Sequence, residues 1–107
     1  MTNLEKELET FAVAYAGNLG LKAVKLHCDQ LNGWPDRTVI GPGGAVGFIE
    51  FKTATGKPSR AQSYWLKTLQ GLGHRAAIVR TKTQAKDFLE SLAGTKPRYL
   101  STSTGVL

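Results

Sequence analysis

The stretch GFIEFK at residues 47–52 constrains the fold of this chain more than any other segment. Its aromatic and β-branched residues predict a strand in or near the centre of a sheet. Because side chains alternate along a strand, Glu50 and Lys52 share one face, while Ile49 and Phe51 point the other way into the core. A charged pair on so apolar a strand is costly unless it has a function. The alternative is an edge strand whose solvated face carries a simple salt bridge.

The net charge indicates the kind of partner. The 107 residues include 14 Lys and Arg against 8 Asp and Glu, a formal net charge of +6. In a small domain this bias favours a polyanion, nucleic acid first and an anionic membrane surface second. We expect one compact domain followed by a polar tail from Gly94 onward. Because no stretch is long enough to span a bilayer and the N-terminus lacks a secretion signal, we expect a cytoplasmic protein.

Cys28 is the only cysteine, so an intramolecular disulfide is excluded, which suits a reducing compartment. A zinc site built from His27, Cys28 and His74 is an alternative. Adjacent His27 and Cys28 lack the usual ligand spacing, however, and a fourth ligand is missing. We therefore expect Cys28 to be a small buried hydrophobic residue.

Hydrophobic periodicity and turn residues predict three helices and four strands. A Gly-Pro-Gly-Gly turn at residues 41–44 joins the second and third strands in a β-hairpin, and Ser59 with Gln62 has the pattern of a capping box. We expect an α/β fold with a mixed central sheet flanked by helices, with a right-handed crossover if the last two strands are parallel. The predicted elements are helix 3–18, strands 21–26, 37–40 and 45–52, helix 60–72, strand 75–80 and helix 83–93.

Helical spacing also predicts which side chains face the core. They are Leu4, Leu8, Phe11, Ala12, Tyr15 and Leu19 on the first helix, Ala61, Trp65, Leu69 and Leu72 on the second, and Phe88, Leu89 and Leu92 on the third. Glu9 is the acid deepest in the first helix, and its alternative role is that of a solvated surface acid.

Asp36 turns the charged pair into a candidate site. Hairpin geometry brings the start of the first hairpin strand beside the end of the second, so Asp36, Glu50 and Lys52 converge. One lysine cannot neutralise two carboxylates in a half-buried site, and oxygen ligands of this kind suit Mg²⁺ or Mn²⁺. A divalent cation beside a basic surface favours phosphodiester hydrolysis, with the lysine orienting water or offsetting charge on the phosphorane.

Pro35-Asp36 followed by Glu50-Phe51-Lys52 resembles the PD-(D/E)xK nuclease signature and, within that superfamily, the VRR-NUC (virus-type replication-repair nuclease) family. The resemblance covers residues 4 to 92, no core motif position is substituted, and it marks residues 1–93 as a nuclease domain with a restriction-endonuclease-like core. Further matching segments are Gly33-Trp34-Pro35-Asp36-Arg37, Thr55-Gly56-Lys57-Pro58-Ser59 with Gln62, Leu69 through Gly73-His74, and the single residues Glu9 and Lys25.

The resemblance implies a role for each site residue. Asp36 and Glu50 would ligate the metal together with the backbone carbonyl of Phe51, and Lys52 would position or activate the attacking water. Glu9 would reach the metal directly, through water, or by holding a second ion. Gln62 would hydrogen-bond into the site, its alternative being a plain capping-box residue. Lys25 would either touch the scissile phosphate or pair with Glu9.

Substrate contacts are predicted from the basic residues. The candidates for phosphate binding, which would confer affinity without sequence preference, are Arg37, Lys57, Arg60 and Lys67 besides Lys25. Trp34 would either stack on an unpaired base or anchor the loop that carries Asp36. The tail segment Lys96-Pro97-Arg98 would be a DNA arm or an oligomer contact.

The resemblance as a whole implies a metal-dependent endonuclease that acts on branched DNA such as four-way junctions. Free-standing members of the family imply a homodimer, which would present two sites to a junction, and a phage or prophage origin in a bacterial cell. Two alternatives stay open. One is a basic DNA-binding module that does not cleave, and the other is a flap-type or restriction-type nuclease, although the chain has no recognition domain for restriction.

Overall fold

The sheet is built around its third strand. A computed structural model describes residues 3–26 and 30–95, and in these ranges four strands and three helices follow one another in the predicted order. A single 3-10 turn, Pro42–Gly44, joins the second and third strands. The elements are α1 (Asn3–Asn18), β1 (Lys22–Val24), β2 (Arg37–Gly41), β3 (Ala45–Phe51), α2 (Arg60–Gly71), β4 (Arg75–Val79) and α3 (Lys82–Ala93).

The strands lie side by side in the order β1-β2-β3-β4. β2 and β3 form the predicted antiparallel hairpin, with pairing that runs from Arg37↔Ile49 to Gly41↔Ala45. β3 and β4 are parallel, so α2 is the crossover between them. The mixed α/β fold is therefore confirmed. β3 has a neighbour on each side, and the alternative that it is an edge strand is wrong.

Both faces of β3 are covered, which explains its nearly continuous apolar sequence. Ile49 and Phe51 lie in the core under α1 and α3, as predicted. Phe48, on the opposite face, packs with Leu66 and Leu69 of α2. Glu50 alternates with its neighbours onto this second face and is therefore enclosed by α2 instead of facing open solvent.

The structure corrects several predicted inward residues. Leu4 is 67 % exposed because it lies in the first turn of α1, and Leu72 is 70 % exposed because it is the C-cap beyond the last helical residue of α2. The buried residues of α2 are Leu69, as predicted, and Leu66, which was not. The first strand is also shorter than predicted, Lys22–Val24 in place of residues 21–26.

Two predictions fall on residues that the structure does not describe. The zinc alternative involves His27 and Cys28, which lie outside the described ranges, whereas His74 makes an edge contact with the ring of Phe48. The tail segment at residues 96–98 also lies outside them. In the part of the chain that is described, no helix has the length and apolar character needed to cross a bilayer.

Candidate active site

The candidate site lies where the end of β3 meets the start of β2. Glu50 is the last residue but one of β3, Lys52 follows the strand, and Asp36 immediately precedes β2. Asp36 accepts a hydrogen bond through Oδ2 from the backbone N–H of Phe51, at 2.8 Å. The hairpin therefore brings Asp36 to the Glu50 end of β3, as its register requires.

Glu50 is a buried acid with one oxygen in use and one without a partner. The residue is 2 % exposed. Its Oε2 accepts a hydrogen bond from Nε2 of Gln62 at 2.8 Å and lies 3.6 Å from Nζ of Lys52. Its Oε1 is buried without a hydrogen-bond partner. A buried carboxylate oxygen of this kind is destabilising unless a ligand satisfies it.

Burial and like charge both raise the pKa of the two carboxyls. Desolvation is the largest effect on Glu50 and, with the nearby charge of Asp36, raises its pKa to about 7, although Lys52 opposes the shift. Desolvation also raises the pKa of Asp36, against the lowering effect of the Phe51 hydrogen bond, and Glu9 adds to the rise. Ionisation of both carboxyls is therefore electrostatically unfavourable without a further cation.

The backbone of Phe51 is directed toward Asp36. Its N–H is directed to Asp36, while the next N–H along, that of Lys52, bonds instead to the carbonyl of Val79 in β4 at 3.1 Å. In an extended strand the N–H and C=O of one residue point to the same neighbour. The carbonyl of Phe51 is therefore on the Asp36 side of β3, where the resemblance requires a metal ligand.

Gln62 fills both of the roles between which its sequence left a choice. Its Oε1 accepts a hydrogen bond from the backbone N–H of Ser59 at 2.8 Å, and its backbone N–H donates to the Ser59 hydroxyl, which completes the capping box of α2. Its Nε2 donates to Glu50. Since one amide makes both contacts, the capping box fixes the orientation of the group that holds Glu50.

Glu9 is buried beside the site and paired with an arginine. It is 6 % exposed, which excludes the solvated-acid alternative. Its Oε2 accepts a hydrogen bond from Nε of Arg37 at 2.7 Å, and Nη1 of the same arginine donates to the carbonyl of Ala23 at 3.1 Å. Lys25 is exposed, and the alternative in which it pairs with Glu9 is wrong, because Arg37 occupies that position. Arg37 was predicted to bind phosphate, and the structure places it in this ion pair.

One solved structure is similar to this chain over most of its length. A chain described as a VRR_NUC domain matches with a TM-score of 0.76 and 26 % sequence identity, over 83 % of this chain and 97 % of that one. This chain has a VRR-NUC fold. No protein-family model and no curated protein matches the sequence.

The loop that carries Asp36 is held by tight packing against α2. Gly33 has a positive φ of 84°, and a Cβ at this position would lie 2.5 Å from the backbone carbon of Ala61. Trp34 makes edge contacts with Phe48, at a centroid distance of 5.6 Å, and with Trp65, at 5.1 Å. Trp34 therefore anchors the loop, which is one of the two roles that its sequence leaves open.

Sequence reasoning missed one acid beside the candidate site. Glu5 lies one helical turn before Glu9 on α1, is half-buried, and its charge contributes to the raised pKa of Asp36. The signal was available, because residues four apart share a helix face. The predicted phosphate contacts Lys57, Arg60 and Lys67 are all exposed, the first in the loop before α2 and the others on α2 itself.

The donor set fits a hard divalent cation only in part. Asp36, Glu50 with its unpartnered Oε1, and the Phe51 carbonyl are oxygen donors of the type that Mg²⁺ and Mn²⁺ prefer. Within residues 3–26 and 30–95, however, no cluster of three or more His, Cys, Asp or Glu side chains is placed to hold a metal ion. Direct ligation by Glu9 therefore stays a prediction, and a site with few protein ligands is typical of Mg²⁺, which keeps several waters.

Proposed function

We propose that this chain is a metal-dependent endonuclease that hydrolyses phosphodiester bonds in structured DNA, with four-way junctions as the first candidate substrate. The observation that carries the proposal is Glu50. It is a fully buried acid with a raised pKa and one unpartnered oxygen, beside Asp36 and Lys52, on a nuclease-type fold. Perturbed carboxyls grouped in this way are typical of functional sites.

Asp36, Glu50 and the carbonyl of Phe51 would hold Mg²⁺ or Mn²⁺, with Glu9 reaching the ion directly, through water, or through a second ion. When bound, such a cation polarises the phosphoryl oxygen and lowers the pKa of the attacking water. The raised pKa of Glu50 then has a direct consequence, because the carboxyl must lose its proton before it can act as a ligand.

The remaining side chains would position the attacking water and the site's carboxylates and stabilise the charges that develop there. Lys52, 3.6 Å from Glu50, is a cation at the edge of the site that can orient a water molecule or offset negative charge on the phosphorane. Gln62 holds one oxygen of Glu50 and leaves the other available. Arg37 pairs with Glu9 beside Asp36, and removal of either partner would leave a buried charge uncompensated.

DNA would be bound mainly through its phosphates. The chain carries a net charge of +6; exposed Lys57 lies in the loop before α2, exposed Arg60 is the first residue of that helix, and exposed Lys67 lies farther along it. Contacts of this kind give affinity that falls with salt and no base preference. A two-fold dimer would present two such sites to a junction. Sedimentation that shows only monomer at micromolar concentration would contradict the dimer.

The test is a panel of DNA substrates, each incubated with Mg²⁺, Mn²⁺ or EDTA. It contains a four-way junction, a three-way junction, a splayed arm, a flap, duplex and single strand. We expect metal-dependent nicking, fastest on the four-way junction, that Asp36→Asn and Lys52→Ala abolish while DNA binding in EDTA survives. Lys86→Ala is the matched control, because it removes an exposed lysine from α3 and should leave cleavage unchanged.

Each other outcome has a definite meaning. Binding without cleavage in either metal would replace the proposal with the non-catalytic DNA-binding module. Cleavage fastest on the flap would replace the junction with a flap as substrate. Cleavage in EDTA, or cleavage that persists in Asp36→Asn, would show that the site we describe is not the reactive one.

A further inference from the structure

Arg80, which no motif of the sequence singles out, holds the turn that follows Lys52. The turn is residues 53–56, closed by a hydrogen bond from the N–H of Gly56 to the carbonyl of Thr53 at 3.2 Å. Nη1 of Arg80 donates to that same carbonyl at 2.6 Å and to the carbonyl of Gly56, also at 2.6 Å. One guanidinium nitrogen therefore ties together the first and last residues of the turn.

The turn lies beside the side chain of Lys52. A methyl group added to Gly56 would lie 3.0 Å from the hydroxyl of Thr53 and 3.6 Å from Cδ of Lys52, so Gly56 faces the lysine stem with space for no more than about one methyl group between them. The backbone of Lys52 is fixed as well, through its N–H to the carbonyl of Val79, the residue before Arg80. The end of β4 thus holds both the backbone of Lys52 and the turn beside its side chain.

Arg80 is itself fixed at the start of α3. Its backbone N–H donates to Oε1 of Gln84 at 2.7 Å, and the N-cap hydroxyl of Thr81 accepts from the backbone of the same glutamine at 3.1 Å. An arginine suits this position because its planar group carries several donors in a fixed geometry and stays charged at every relevant pH. A lysine has a compact ammonium on a flexible stem and cannot reproduce that geometry.

We infer that Arg80 is a positioning residue for Lys52. By tying residues 53–56 into a rigid turn, it fixes the amine at the distance from Glu50 that the reaction requires. The inference rests on the proposed nuclease function. Arg80 lies near the site, but its Nη1 is bound by the carbonyls of the turn. We therefore assign it no contact with the substrate.

The experiment compares Arg80→Ala, Arg80→Lys and Arg75→Ala. Arg75 is the matched control, because it lies at the other end of β4 and donates to the carbonyl of Ser91 at 3.1 Å and to the Thr95 hydroxyl at 2.6 Å. It has the same charge and similar bonds, but it lies away from the site. We expect Arg80→Ala and Arg80→Lys to lower kcat about 10- to 100-fold with KM little changed, and Arg75→Ala to leave both unchanged.

Two further readouts separate positioning from stability or DNA contact. Added guanidinium ion, below concentrations that unfold the protein, should restore part of the kcat of Arg80→Ala and none of that of Lys52→Ala. Hydrogen exchange of the Gly56 amide should become about tenfold faster in Arg80→Ala and not in Arg75→Ala. Unchanged kcat, or a loss confined to DNA affinity, would overturn the inference. If the wild type does not cleave DNA, the proposed function fails, and unchanged Gly56 exchange would separately overturn the role of Arg80.

Discussion

The substitution Glu50→Gln separates the electrostatic cost of this site from its function. Glutamine keeps the shape of the side chain and can still accept the hydrogen bond from Gln62, but it cannot ionise. Burial raises the pKa of Glu50 from an ordinary 4.5 to about 7. At about 1.4 kcal/mol for each pKa unit, ionising this carboxyl in the metal-free folded protein costs about 3 kcal/mol more than ionising it in the unfolded chain.

The pH dependence follows from the direction of the shift. Because the folded protein keeps the proton of Glu50 after the unfolded chain has lost it, the free energy of unfolding is highest below about pH 4.5 and falls as pH rises to about 7. Glu50→Gln has no carboxyl at this position and therefore lacks this fall in the free energy of unfolding. We expect Glu50→Gln to match the wild type near pH 4.5 and to exceed it at pH 8 by about 3 kcal/mol, which in a domain of this size raises Tm by about 10 °C or more.

The assay is urea or thermal unfolding in EDTA at several values between pH 4.5 and 8, repeated with Mg²⁺. Glu7→Gln, which makes the same chemical change at an exposed position on α1, is the control and should follow the wild type. Mg²⁺ should stabilise the wild type at pH 8 and have no such effect on Glu50→Gln, which should also be inactive. Our reasoning would be refuted if the variant were less stable than the wild type at pH 8, or if the difference between them did not grow with pH.

Two further predictions concern the contacts around Glu50 and Asp36. Gly33→Ala should lower the free energy of unfolding by a few kcal/mol, since a left-handed residue costs about 1 to 2 kcal/mol and overpacking about 1 to 3 kcal/mol. Gly20→Ala, also at positive φ but with no atom within 4 Å of the added Cβ, should show the first cost alone in urea unfolding. Equal losses at the two positions would contradict the close packing against α2. Gln62→Glu should retain the capping-box acceptor but raise the pKa of Glu50 further, because it places a second carboxyl against Glu50. The acid side of the pH profile of the nicking rate should then move to higher pH. A profile that does not move would count against the contact between residues 62 and 50.

The sequence by itself determined the order and type of the elements and the triad of Asp36, Glu50 and Lys52. These features are local or nearly so. Alternation along residues 47–52 sets which side chains share a face, and a hairpin with a short turn leaves its strands one way to pair, which brings Asp36 to the end of β3. The Ser59–Gln62 capping box is local for the same reason.

Tertiary structure decided which partner each charged group takes. Glu9 pairs with Arg37 and not with Lys25, Gln62 reaches Glu50 while it caps α2, and Arg80 ties residues 53–56 to the end of β4. Each of these contacts joins two different elements or loops, and the spacing of residue types does not say which partner each group takes. The burial that raises the pKa of Glu50 is likewise a property of the assembled layers, because only α2 packed over β3 removes water from that carboxyl.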